Sequence, residues 1–229
     1  MKRCLLLFTL ALAITACQKK PVTPVTVTMP AVDFLPLAPG NTWTYGIKGW
    51  ADGDGNFSDT VVFTATAMQK TFNGKTYTLV LANKPIFYPG IDSFYFYKNP
   101  VTQIYSWLFP GQGLPRAFDA PILDARPYAK ISSSVDIPAS NSSQPAPYRV
   151  SAIGGSIGYT ETVTGQIYNG VSQVGVTILD RDSTAGPYYG DWQYYNEYAF
   201  DFAPNVGILR MVDANWQGAI ALIHYHVKP

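Results

Sequence analysis

The sequence predicts an all-β protein: a strongly curved antiparallel sheet, an open barrel or a sandwich of about ten strands. Three observations carry this. Apolar and polar residues alternate with a period of two over many short segments, as in Trp43, Tyr45 and Ile47 against Thr42, Thr44 and Lys48. Gly, Pro, Asn and Asp separate those segments at short intervals. Beyond the first sixteen residues no stretch carries a sustained apolar stripe at helical spacing with capping residues.

The chain opens with Lys2 and Arg3, an apolar run from Leu5 to Ile14, and small residues leading to Cys17. A permanent membrane helix needs roughly 20 apolar residues, so this shorter run fits a cleavable export signal. Ile14-Thr15-Ala16-Cys17 resembles the lipobox of bacterial lipoproteins: an aliphatic residue, two small residues, then cysteine. The resemblance implies that residues 1–16 are a lipoprotein signal peptide. It further implies that the Cys17 sulfur receives a diacylglyceryl group and that its freed amine is acylated. Several acyl chains anchor stably where one is marginal. Gln18, where an aspartate would mark retention, implies sorting to an outer membrane, with the domain facing the periplasm.

Lys2 and Arg3 are two of the 16 bases, which leaves 14 against 15 acids in the mature chain. A nearly neutral domain lacks the basic stripe that a phosphate backbone demands, so no nucleic-acid partner is expected. The two cysteines are Cys4, inside the signal, and Cys17. Once Cys17 carries lipid the mature domain has no disulfide, and packing must hold it together. No cofactor is expected.

Residues 17–33 place Pro21, Pro24 and Pro30 among Val22, Val25 and Val27, the composition of a semi-rigid tether. A single all-β domain is expected over residues 34–229. It begins at Phe34-Leu35-Pro36-Leu37 and the strand around Trp43. Asp52 to Asn56 reads as a turn, and alternation resumes with Val61, Phe63 and Ala65. Asn73-Gly74 supplies the positive φ angles of a tight hairpin, followed by Tyr77, Leu79 and Leu81 as the apolar positions of a third strand. These three strands form a meander. Residues 92–109 are bulky at both parities, which points to strands covered on both faces or lining a cavity. Pro110–Pro127 and Ile137–Pro147 read as two long loops because Pro, Gly and Ser recur there. Later strands are expected at Tyr159–Thr164, Val171–Leu179, Tyr194–Phe202, Val206–Val212 and Ala219–Val227.

Pro36-Leu37 to Tyr45, Tyr159-Thr160-Glu161-Thr162-Val163 and Ala203-Pro204-Asn205-Val206-Gly207-Ile208-Leu209-Arg210 occur in this order across most of the mature chain. They resemble landmarks of uncharacterised β-rich bacterial envelope lipoproteins. Asn205 stands where those proteins more often have glycine, and both residues tolerate the left-handed region. The resemblance brings no catalytic residues with it.

Candidate chemistry is sparse. Gly154-Gly155-Ser156-Ile157-Gly158 matches a nucleophile elbow, with Asp180 or Asp191 and then His224 in the hydrolase order. An elbow joins a strand to a helix, whereas the residues after Gly158 alternate as a strand, so these glycines mark a bend or bulge. His224 and His226 would share one face of the last strand, but zinc needs a third protein ligand that no spacing names, so no metal is expected. Asp52, Asp54 and Asn56 resemble the start of a calcium loop, yet its twelfth position would be Phe63. Asp180 and Asp182 flank Arg181 as a solvated strand end. Of 16 Tyr, 12 Phe and five Trp most must be core, and the cluster Tyr188, Tyr189, Trp192, Tyr194 and Tyr195 is the candidate ligand-binding surface. The expectation is a lipid-anchored, non-catalytic envelope protein. It would scaffold an envelope protein, or bind an apolar or glycan ligand in an aromatic-lined concavity.

Overall fold

The computed structural model describes residues 32–49, 57–86, 90–109, 117–126, 130–137, 148–154, 158–181, 192–213 and 218–228. The chain divides into Met1–Ala31 and Val32–Pro229, and every described residue belongs to the second unit. Among the described residues there are thirteen strands: β1 (Thr42–Gly49), β2 (Asp59–Phe72), β3 (Lys75–Ile86), β4 (Ile91–Lys98), β5 (Ile104–Phe109), β6 (Phe118–Asp124), β7 (Ser132–Ile137), β8 (Tyr148–Gly154), β9 (Tyr159–Val163), β10 (Gln166–Arg181), β11 (Trp192–Ala203), β12 (Gly207–Asp213) and β13 (Gly218–His226).

Twelve of them follow one antiparallel order, β6-β5-β4-β3-β2-β1-β13-β12-β11-β10-β8-β7, and β9 pairs only with β10. The sheet curls into a nearly closed barrel. Trp107 on β5 meets Tyr198 and Phe200 on β11 edge to face, at centroid distances of 5.5 and 5.3 Å across the interior. At the seam the consecutive strands β6 and β7 do not form a ladder; instead the Ser133 hydroxyl donates to the Pro121 carbonyl at 3.2 Å. One register row runs from Ser132 at the start of β7 through Ala199 and Ala219 to Lys48 near the far end of β1. Such stagger means that the strands tilt steeply to the barrel axis, as closure requires.

Inward parity fills this barrel. Tyr45, Phe63, Phe94, Phe96, Trp107, Phe200 and Phe202 are fully buried. Their rings meet in series, Tyr45 to Phe63 at 4.8 Å, Phe63 to Phe94 at 5.1 Å and Trp107 to Phe109 at 3.7 Å. The aromatic surplus is therefore largely a core, with Val174, Val176, Met211 and Ile220 completing it.

One barrel end is stoppered by the segment before β1. Phe34 and Leu35 are buried there. The Tyr105 hydroxyl donates to Asp33 Oδ1 at 2.6 Å and accepts the Phe34 amide at 3.1 Å. Asn205 N–H reaches the Asp33 carbonyl at 2.6 Å. Buried Asn41 donates to the Pro36 carbonyl at 2.9 Å and accepts the Lys228 amide at 3.0 Å, tying the two ends of the barrel sequence together. Trp43 and Tyr45 fix the β11–β12 turn by donating to the carbonyls of Val206 at 2.6 Å and Ile208 at 3.0 Å.

Two hairpins leave the barrel wall and fold back over its outer surface. In β2–β3 the pairs Ala65–Val80 and Gln69–Thr78 leave Thr66, Ala67 and Met68 opposite Leu79 alone, a wide bulge that bends the hairpin. Its tip lands on β6. Asn73 Nδ2 and the Tyr77 hydroxyl donate to Asp119 at 3.1 and 2.8 Å, and Lys75 pairs with it at 2.5 Å. In β9–β10 the pairing breaks between Tyr168 and Val171, where Gly170 has φ of 71°. That hairpin lies over β11–β13, with Thr164 Oγ1 donating to the Leu222 carbonyl at 2.7 Å.

Several expectations need correction. Pro110–Pro127 is not all loop, since β6 occupies Phe118–Asp124 with Pro121 inside it. Pro121 lacks an N–H, which is tolerable because β6 is an edge strand. Strand β7, Ser-rich and without an apolar face, was not anticipated, and the strand total exceeds ten. In β3 the core positions are Val80 and Ala82, the opposite parity from Tyr77, Leu79 and Leu81. Tyr77 and Leu79 are buried nevertheless, on the outer side of the wall where the β2–β3 hairpin folds over, with the Tyr77 and Tyr97 rings 5.7 Å apart. That covering accounts for the bulk at both parities of residues 92–109. The meander of the first strands, the Asn73-Gly74 turn (φ 47° and 71°) and the left-handed Asn205 (φ 58°) stand as expected.

Candidate functional site

The β9–β10 hairpin creates a polar network on the outer wall that joins β9, β10, β11 and β12. Register sets its floor: Gln173 on β10, Asp201 on β11, Arg210 on β12, Ala221 on β13 and Gly46 on β1 stand in one row. The hairpin brings Tyr159 and Glu161 down onto this row. Tyr159 OH and Gln173 Nε2 both donate to Asp201 Oδ1 at 3.1 Å. Arg210 Nη2 donates to Glu161 at 2.9 Å, while its Nη1 stands 3.9 Å from Asp201 Oδ2.

Burial under the hairpin raises the Asp201 carboxyl above the usual aspartate range, against the opposing pull of the Tyr159 hydroxyl and the Arg210 guanidinium. Burial also raises the Tyr159 phenol, with the Asp201 charge adding to it. A carboxylate shifted this way resembles a catalytic acid, but its oxygens are taken up by groups that hold the hairpin. This is a clamp in chemical terms.

Beside the clamp lies a hollow of about 520 Å³. Ala219 and Ala221 form its floor, Val163 and Thr164 one wall, and Phe57, Lys48 and Arg210 the rest. Small floor residues make the space: the Phe57 ring sits against Gly46, where a Cβ would stand 2.2 Å from it. Lys48 Nζ lies 5.9 Å from the Phe57 ring. Thr164 holds φ of 50°, which is costly for a β-branched residue, and its hydroxyl bonds to Val163 and Leu222 hold it there. The size falls within the roughly 300–1,000 Å³ usual for small-molecule sites.

Most of the residues singled out from sequence fall outside the described part of the structure. Tyr188 and Tyr189 lie outside the described residues; Trp192, Tyr194 and Tyr195 belong to the first part of β11, with only their backbone described. Cys17, Ser156, Asp191, Asp182 and the Asp52–Asn56 turn also lie outside them. The residues after Gly158 form β9, antiparallel to β10, so no helix follows the Gly-rich segment as an elbow requires. His224 and His226 face Thr44 and Thr42 on β13 and are exposed. Among the described residues no group of three or more His, Cys, Asp or Glu side chains could hold a metal ion. Sequence reasoning missed Asp201, Arg210 and the hollow, because they meet only through a register row and a folded hairpin. Gly170 next to Asn169 was the sole local signal. Comparison with known proteins returns no family model, no curated protein and no solved structure that matches the chain.

Proposed function

We propose that this chain is a lipid-anchored, non-catalytic cell-envelope lipoprotein whose barrel binds or scaffolds through its outer surface. The observation that supports it is in the sequence: a basic start, an apolar run from Leu5 to Ile14 and the lipobox-like Ile14-Thr15-Ala16-Cys17 precede the barrel. The test is fractionation of host cells together with mass analysis of the protein's N-terminus. The expected result is an acylated chain beginning at Cys17 in the membrane fraction, and release of a Cys17→Ser variant from it. A Cys17→Ser chain that stays in the membrane fraction to the same extent would sink the reading.

The hollow favours a second reading, a binding module for a small apolar or glycan ligand. The barrel interior is occupied by packed rings, which directs recognition to the outside. Exposing the anchored protein to an extract of its own envelope and weighing it by native mass spectrometry tests this. A bound mass is expected with the wild-type chain, and its loss with Ala219→Trp, which fills the floor of the hollow. A bound mass that Ala219→Trp leaves intact removes the hollow from the account.

A further inference from the structure

The strand directions place the stopper, the β4–β5 turn, the β2 bulge, the end of β8 and the end of β13 at one end of the barrel. Among the described residues, four of the five large apolar side chains left in water lie there. Val101 in the β4–β5 turn is 87% exposed, Ile153 at the end of β8 66%, Met68 in the β2 bulge 60% and Ile223 near the end of β13 41%. These residues come from four separate elements, so no single amphipathic strand explains them. Scattered exposed apolar residues need no explanation, whereas a set confined to one rim does. The fifth such residue among those described, Ile167, lies on the β9–β10 hairpin, which folds off the wall from this same end.

Bases accompany them. Lys130 precedes β7 and is exposed, Lys228 follows β13 and is exposed, and Lys98 ends β4. The acids nearby are occupied: Asp33 by Tyr105 and Lys98, Asp124 by Arg126 at 2.5 Å. The stretch of chain that leads back to Cys17 leaves the barrel at this same rim, at Val32 and Asp33. Residues 18–31 span at most about 50 Å when extended, so the rim can never be far from the surface that holds the cysteine.

We infer that this rim seats on the bilayer: Met68, Val101, Ile153 and Ile223 enter the head-group layer while Lys130 and Lys228 face anionic lipid. Apolar side chains at an interface and lysines near an anionic surface act together in this way. The seated barrel then points its opposite end, where β1, β3 and β5 finish and β4 and β6 begin, away from the membrane. The inference rests on the anchoring reading for the nearness of the bilayer, and the test separates the two.

The lipidated chain has no free thiol when Cys17 carries the anchor, so Val101→Cys, Ile153→Cys and, at the opposite end of β4, Asp92→Cys can each carry one polarity-sensitive fluorophore. The protein is placed in vesicles of phosphatidylethanolamine and phosphatidylglycerol that contain nitroxide-labelled lipid. Labels at 101 and 153 are expected to shift to the blue and be quenched, and the label at 92 to read as water. Lys130→Gln is expected to move the seated-to-lifted ratio about fivefold toward lifted, and added salt to do the same. A chain retained by the vesicles whose 101 and 153 labels match the 92 label overturns the seated rim and leaves the anchor standing. A chain that carries no acyl mass and does not stay with the vesicles overturns both.

Discussion

Trp107→Ala is expected to destabilise the barrel by about 3–5 kcal/mol, the largest effect of any single truncation, which lowers the melting temperature by about 6–20 °C. The ring is fully buried and touches Phe94, Phe96, Phe109, Tyr198 and Phe200, so its loss opens a void shared by β4, β5 and β11. Its indole N–H has no hydrogen-bond partner among the described residues. An unpaired buried donor costs about 1–3 kcal/mol, and Trp107→Phe removes that cost together with part of the ring. The phenylalanine variant should therefore lose much less than the alanine variant. Thermal unfolding followed by near-ultraviolet circular dichroism decides it, and equal losses for the two variants would contradict this account of the core.

The second large effect belongs to Asp119. Asp119→Ala leaves the Tyr77 hydroxyl and Lys75 without their acceptor and is expected to cost about 2–4 kcal/mol, with the β2–β3 hairpin released first. Burial pushes this carboxyl up, but the hydrogen bonds from Lys75, Tyr77 and Asn73 outweigh it and hold the group below the usual aspartate range. A lowered folded value means that its contribution is present above about pH 4 and is lost as pH falls through that lowered value. Asp201 has the reverse sign. Its raised value makes its contribution fullest below about pH 4 and lost as pH rises through the folded value. Asp119→Asn should flatten the acid limb of a stability-versus-pH curve, and Asp201→Asn should flatten the segment just above pH 4. Hydrogen exchange on the two hairpins, measured across that range, would reveal the opposite trends, and parallel trends would refute the assignment.

Where local chemistry dominates, the fold could be read directly. Trp43 and Tyr45 alternate with threonines, and the strand they announce is β1; Asn73-Gly74 announces a hairpin, and a hairpin is there. Where a neighbour decides, the sequence misleads. Pro121 argues against a strand until its place at the sheet edge is known. Tyr77 and Leu79 look like core because they are apolar and buried, yet what buries them is a bend at Thr66–Met68 that contains neither Gly nor Pro. The Asp201–Arg210 clamp shows the same limit. Tyr159 and Glu161 lie 42 and 49 residues from the Asp201 and Arg210 they meet, and only the stagger of β10, β11 and β12 sets the floor in one row.

The place of β1 in the sheet order has a consequence for how this molecule comes into being. Its one edge pairs with β2, next in the chain, and its other edge with β13, the last of the described strands. Strands β1 to β6 can zip together as they emerge, each against its predecessor. The other edge of β1 then stays open along its full length until β13 pairs with it. Long-range pairings of this kind fold slowly and expose strand edges to other chains meanwhile. A chain that lacked β13 would leave the edges of β1 and β12 unpaired and ready to aggregate.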